Sequence, residues 1–260
     1  MMLEKILKDS WEALEIRKKR LPLEELEKLA LGRRNIKSLE GALREHPWAV
    51  IAEVKRASPS KGLLVSDWDA ASLAQRYAAL GASAISVVTD KRNFLGSLED
   101  LKNIALALGD GGPPILRKDF IFDRYQVYEA LAYGADAVLL IVAVLGERLG
   151  EFIRLSEDLG LSCLVEVHKR KELEIALKMG AAIIGINNRN LETFEVDLGT
   201  TFRLFPLIPD DILVISESAV RGREDARALK RLGLRGVLVG EALLKSDNLE
   251  AKMRELYDQD

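Results

Sequence analysis

Residues 134–168 read GADAVLLIVAVLGERLGEFIRLSEDLGLSCLVEVH, and the fold turns on this stretch. It opens with DAVLLIV (136–142), an apolar run of the length of a strand buried on both faces. GERLGEFIRLSEDLG (146–160) follows, with apolar residues at helical spacing and a glycine at its end. SCLVEV (162–167) is then a second buried strand. Strand, helix and strand in this order make a βαβ unit, whose strands run parallel because the helix carries the chain back.

The unit recurs in both directions. Further strand-like runs are VIAEVK (50–55), SAISVVT (83–89), PILRK (114–118), AIIGIN (182–187), ILVIS (212–216) and RGVLVG (235–240). Amphipathic helical patterns separate them, among them 69–81, 96–109, 123–134, 169–180 and 223–233. GASAISVV, GADAVLLI, GAAIIGI and GLRGVLVG form a weak repeat opening at Gly81, Gly134, Gly180 and Gly233, each glycine suited to the left-handed turn past a helix. Eight such strands in about 200 residues are the inventory of a (β/α)8 TIM barrel. An open doubly wound sheet is the rival topology, weakened because no GxGxxG follows the first strand.

Residues 1–47 precede the first strand and read as three helices, the second opened by Pro22 and the third starting at Ser38. No Pro/Ser-rich linker divides them from the first strand, so 1–260 is read as one (β/α)8 barrel domain with an N-terminal helical extension over 1–47. Two placements stay open: a cap at the barrel's bottom or flank, or a lid over the active-site face.

Composition excludes several function classes. One cysteine forms no intrachain disulfide, and Cys163 with His46 and His168 is too small a set for a Cys/His zinc site. A formal charge of −3 over 260 residues gives no overall attraction to nucleic acid or anionic lipid. No run approaches the roughly 20 apolar residues of a membrane span, and the charged N-terminus lacks a signal core. The expected setting is the cytoplasm, and the expected state a monomer, with a weak dimer as the alternative. An enzyme of this composition would work with lysines and carboxylates.

In a barrel, chemistry gathers at the carboxyl ends of the strands, where residues two apart share a face. Glu53 and Lys55 close the first strand, Lys118 the third, Glu166 the fifth and Asn187 the sixth, while the seventh runs into Glu217 and Ser218. Alternate strands supply one layer of a barrel interior, so Glu53 (or Lys55), Lys118, Glu166 and Glu217 are expected together at its mouth. Buried charges have to pair, and such a cluster suits proton transfer.

The ends of strands seven and eight, around Ser218 and Gly240, match the usual phosphate position of such barrels, with Lys55 and Arg189 as nearby cations. The loop 56–62, RASPSKG, lacks a P-loop spacing and is expected to close over a substrate. Phe94 and Phe120 either pack under loops or wall an aromatic ring. His168 is expected to start the following helix, His46 to lie on the surface and Cys163 to be an inert buried thiol.

IAEVKRASPSKG, SVVTDKRNFLGSLEDL, ILRKDFIFDRYQV, GADAVLLIVAVL, LVEVH, GINNRNLETFEVDL, ISESAV and VGEALL, in this order, closely resemble the indole-3-glycerol phosphate synthase family of tryptophan biosynthesis. The resemblance spans about residues 48–245, and a helical N-terminal extension is also a family trait. It implies a lyase that turns 1-(2-carboxyphenylamino)-1-deoxyribulose 5-phosphate into indole-3-glycerol phosphate, CO2 and water, with no metal and no organic cofactor. Its partner would be that small phosphorylated molecule.

By the same resemblance Lys118 is the general acid at the substrate carbonyl, and Glu53 with Lys55 handles proton transfer in dehydration. Glu166, Asn187 and Glu217 orient the substrate and stabilise the developing cation. Ser218 and the backbone at Gly240 hold the phosphate, with Arg189 nearby. Pro59, Phe94, Phe120, Leu191 and Leu238 line the pocket of the anthranilate ring, and Ser58, Ala219 and Glu241 complete the substrate-binding set. Ala219 departs from the family's usual glycine, and a positive φ there would make its methyl group unfavourable. The alternative on the same barrel is a sugar-phosphate aldolase or isomerase with a Schiff-base lysine.

Overall fold

A computed structural model describes residues 2–33, 35–59 and 61–258. Eight parallel strands close into a barrel: β1 (Ala49–Val54), β2 (Ala84–Val88), β3 (Ile115–Lys118), β4 (Ala137–Ile141), β5 (Ser162–Val167), β6 (Ile183–Asn187), β7 (Leu213–Glu217) and β8 (Gly236–Val239). Each pairs with its neighbours in sequence, and β1 closes on β8 through Ala49 opposite Gly236 and Ala52 opposite Val239. The closed sheet excludes the doubly wound alternative. All eight strands lie where the apolar runs put them, with ends shifted by a residue or two.

Alternation along the strands decides what faces inward. Ala49 and Ile51 of β1, Leu116 of β3, Leu139 of β4, Leu164 of β5 and Ile215 of β7 pack inside the barrel. Their neighbours Val50, Ala52, Val54, Val138, Val165 and Val214 pack outward beneath the helices. The helices begin where side chains can satisfy their first N–H groups: Asp69 accepts from Ser72 N, Ser97 from Asp100 N, and Asp123 makes a capping box with Gln126. Gly81, Gly134, Gly180 and Gly233 have φ between 81° and 106°, the left-handed turn their repeat predicts.

The N-terminal extension divides between the two placements left open by its sequence. Helix α1 (Met2–Arg20) lies over the carboxyl ends of the strands and brings Leu3 and Ile6 to the cavity there. Helix α2 (Leu23–Leu31) buries Leu26 and Ala30 in the outer layer. Helix α3 (Leu39–Glu45) sets Leu39 and Leu43 in the interior cluster, and Leu39 N donates to Ser162 Oγ at the start of β5, so α3 plugs the opposite end.

Three further differences have local causes. The segment 146–160 opens as a 3-10 turn, Gly146–Arg148, before the helix Leu149–Asp158, because Gly146 at φ 53° ends a short helix, Val142–Leu145. The loop after β1 contains a two-stranded ribbon, Ala57–Ser58 against Gly62–Leu63; Ser60 lies outside the described residues, as do residues 1, 34, 259 and 260. Cys163 is half-buried rather than buried, and burial pushes its thiol up to about 12, which keeps it inert. His46 is exposed at the end of α3, as expected.

Candidate active site

The last inward positions of the strands are polar, and they meet. Lys118 ends β3, and its Nζ lies 3.1 Å from Glu166 Oε2 on β5 and 3.2 Å from Glu217 Oε2 on β7. Glu53, on β1, is paired with Lys55 two residues on, the two sharing the inward face. Glu53, Glu166 and Glu217 are each at most 4% exposed. Such carboxylates are tolerated only with cations beside them.

Their protonation follows from these neighbours. Burial works against charge at Glu53, but Lys55 and Lys118 outweigh it and hold its carboxyl below the ordinary range. Burial likewise opposes charge at Glu166 and at Lys118. Glu166 is nonetheless held low by Lys118 and His168, and Lys118 is held high by Glu166, Glu217 and Glu53. Glu217 goes the other way, up to about 7, because burial and the charges of Glu166 and Glu53 exceed what Lys118 returns. One lysine thus faces an ionised carboxylate and one that exchanges a proton near neutrality, two environments for one residue type.

Two glycines make this packing possible. A Cβ on Gly185 of β6 would overlap Glu217 Oε1, and one on Gly240 would run into the Glu53 carboxylate. Gly240 stood out in the sequence only as a phosphate neighbour; Gly185 did not stand out at all. The close approach of a side chain from the adjacent strand is not written in either residue's own segment.

The cluster floors a cavity of about 950 Å³ at the carboxyl end of the barrel. Every catalytic and substrate-binding candidate singled out from the sequence lines it: Glu53, Lys55, Ser58, Pro59, Phe94, Lys118, Phe120, Glu166, Asn187, Arg189, Leu191, Glu217, Ser218, Ala219, Leu238, Gly240 and Glu241. One wall is aromatic, with the Phe94 and Phe120 rings 6.4 Å apart and tilted by 38°. Leu191, Leu238 and Leu3 extend the apolar surface. Ser58, Pro59 and Lys61 of the ribbon form the rim.

At the far end the backbone turns left-handed twice, at Ser218 (φ 62°) and Ala219 (φ 66°). Ala219 therefore bears its methyl group where glycine is preferred. Asn187 Oδ1 accepts from Arg189 N at 3.0 Å, and Arg189 Nη1 donates to Phe194 O at 3.3 Å. Glu241 is paired with Lys61 across the rim and with Lys245 at 2.9 Å, which holds its carboxyl down to about 2 although burial opposes this. Its side chain is committed to these lysines.

Several supporting residues escaped the sequence reading. His168 precedes the helix Arg170–Lys178 instead of starting it, and its Nε2 lies 3.2 Å from Glu166 Oε1. Arg117, fully buried and facing outward from β3, binds Asp119 at 2.9 Å, Glu129 at 3.0 Å and Gln126 O at 2.7 Å. Arg17 of α1 reaches the other oxygen of Glu129 at 2.7 Å. Asn188 bridges Ser216, Thr201 and the Glu217 carbonyl beneath the site. A polar residue that alternation directs into the helix layer reads as surface until its partners are known.

The family model for indole-3-glycerol phosphate synthase matches residues 3–256. An indole-3-glycerol phosphate synthase of Dehalococcoides mccartyi (strain CBDB1) is 53% identical over 261 residues, covering 98% of this chain and 100% of the relative. One of Thermoanaerobacter pseudethanolicus is 43% identical, covering 94% and 93%. Among solved structures, the 3-hexulose-6-phosphate synthase of Salmonella typhimurium superposes with a TM-score of 0.65 at 12% identity, over 80% of this chain and 96% of that one. The thiamine phosphate pyrophosphorylase of Pyrococcus furiosus does so with 0.59 at 18%, over 85% and 96%. At such identities these two share the fold alone.

Proposed function

The chain belongs to the indole-3-glycerol phosphate synthase family, and on that premise we propose how its residues divide the reaction. The family activity is a decarboxylating ring closure of 1-(2-carboxyphenylamino)-1-deoxyribulose 5-phosphate to indole-3-glycerol phosphate, in tryptophan biosynthesis. The observation that carries our assignment is Lys118, held between Glu166 and Glu217 on the floor of a cavity with an aromatic wall and a cationic rim.

The anthranilate ring is read against Phe94, Phe120, Leu191 and Leu238, with Pro59 above it. The phosphate is read at Ser218 and the backbone of Ala219, Gly240 and Glu241, with Arg189 nearby. Anchoring both ends brings the arene carbon that bears the carboxylate to the C2 carbonyl, and this positioning is itself a large part of the acceleration. Lys118 gives its proton to the carbonyl oxygen as the carbon–carbon bond forms, so no free alkoxide develops. Departure of CO2 then restores the aromatic ring.

Dehydration completes the sequence. Lys55 protonates the departing hydroxyl, which leaves as water, and the nitrogen lone pair stabilises the resulting cation. Glu166, Asn187 and Glu217 offset that positive charge. Glu53 takes the proton from the adjacent carbon, and its contact with Lys55 lets the pair return to its starting state. Ser58 contributes a hydroxyl at the rim. We read the enzyme as a cytoplasmic monomer acting on this small phosphorylated substrate; among the described residues no helix is long and apolar enough to cross a membrane.

The test is turnover of the anthranilate-derived ribulose phosphate, followed by indole fluorescence. Appearance of the indole product supports the reading. Absence of product with folded protein, together with borohydride trapping of a ketose phosphate on a lysine, would replace it with Schiff-base chemistry.

A further inference from the structure

His168 lies outside the substrate cavity, yet it is coupled to its floor. The ring sits between two carboxylates: Nε2 is 3.2 Å from Glu166 Oε1, and Nδ1 is 3.1 Å from Glu172 Oε2. The same Glu172 oxygen accepts the His168 backbone N–H at 2.8 Å, so the ring is fixed by the helix that follows it. The Nε2 contact is a close ion pair rather than an aligned hydrogen bond, since this buried nitrogen has no hydrogen-bond partner among the described residues. On the far side, Glu166 Oε2 faces Lys118.

We propose that His168 is a positioning residue that, as an imidazolium, fixes Glu166 as the ionised member of the Glu166–Glu217 pair and leaves the exchangeable proton to Glu217. This rests on the assignment of Lys118 and its two carboxylates to the ring-closing chemistry. Lys118 is nearly equidistant from both carboxylates, at 3.1 and 3.2 Å, so it does not choose between them. His168 touches only one. A second cation on Glu166 alone breaks the symmetry, and the two carboxyls separate as the members of a coupled pair do.

The charged groups facing His168 are Glu166 from β5 and Glu172 from the following helix, with Lys169 3.4 Å from the other Glu172 oxygen and Lys118 behind Glu166. Burial disfavours the imidazolium, but the two carboxylates outweigh it and raise the ring to about 9. His168 therefore stays charged across the neutral range.

The experiment uses the fact that the chain has two histidines. Imidazole NMR titration of the whole protein, with His46→Asn assigning the exposed ring, reads His168 without substrate. A midpoint near 9 is expected; a midpoint at or below about 7, the ordinary histidine range, overturns the proposal. The pH profile of kcat is then measured for His168→Gln and Glu172→Gln.

We expect His168→Gln to lower kcat at neutral pH by about tenfold, the size of a one-unit displacement of the Glu166 carboxyl. KM should change by less than about threefold, the acid limb of the profile should move to higher pH, and His168→Lys should restore part of the rate. Glu172→Gln, should His168→Gln not fold, should lower the His168 midpoint, and kcat should fall as pH rises through that lowered midpoint and the ring loses its charge. A pH profile of kcat unchanged in both variants overturns the proposal while leaving the ring-closing activity standing. A His168 midpoint near 9 in a protein without that activity would instead count against the functional reading.

Discussion

Lys118 Nζ and Glu217 Oε2 lie 3.2 Å apart although their strands, β3 and β7, stand on opposite sides of the barrel. The span is bridged by long side chains entering the centre from both sides, with Glu166 joining from β5. Closing the barrel therefore assembles the cluster. It also forces a carboxylate into a site where burial and its like-charged neighbours outweigh its one cation.

That imbalance predicts how stability depends on pH. The folded-state value of Glu217 is raised, to about 7, above its unfolded value, so its favourable contribution is fully present below the unfolded value and is lost as pH rises through about 7. Glu217→Gln removes this titration. Its Tm relative to wild type should rise between about pH 4.5 and about 7 and level off above about 8, measured by calorimetry across that window. A Tm difference independent of pH would contradict the assignment.

Arg117 gives the opposite prediction. Its guanidinium is fully buried between Asp119 and Glu129, and Glu129 also receives Arg17 from α1. Arg117→Met should destabilise the protein by about 3–5 kcal/mol, because it leaves buried carboxylates short of a cation. Urea unfolding measures this, and a loss under about 1 kcal/mol would show that Arg17 alone suffices.

Ala219 bears its side chain at φ 66°. The left-handed conformation costs an L-residue about 1–2 kcal/mol, and the extra unfolded freedom of glycine gives back about 0.4–1 kcal/mol of that. Ala219→Gly should therefore stabilise the fold by about 0.5 kcal/mol, with a KM for the phosphorylated substrate no higher than wild type. Destabilisation on denaturant titration would mean that the methyl packs usefully.

The barrel was legible because its strands are apolar runs interrupted at regular intervals, and period-two alternation carried the site with it. Glu53, Lys118, Glu166 and Glu217 are each the last inward residue of a strand, so placing the strands placed the cluster. Features that depend on a partner from another segment stayed hidden. His168 between Glu166 and Glu172 requires knowing that the helix starts at Arg170. The space Gly185 leaves for Glu217 requires the β6–β7 register, in which Gly185 stands opposite Ile215. The N-terminal helices had apolar faces that fitted either end of the barrel, and α1 and α3 take one end each.

The central claim is that Lys118 supplies the proton for ring closure. The direct measurement is kcat of Lys118→Ala on 1-(2-carboxyphenylamino)-1-deoxyribulose 5-phosphate, followed by indole fluorescence, with circular dichroism to show that the barrel is intact. A fall of about a hundredfold or more is expected for removal of a general acid. Turnover close to wild type in a folded Lys118→Ala protein would contradict the account.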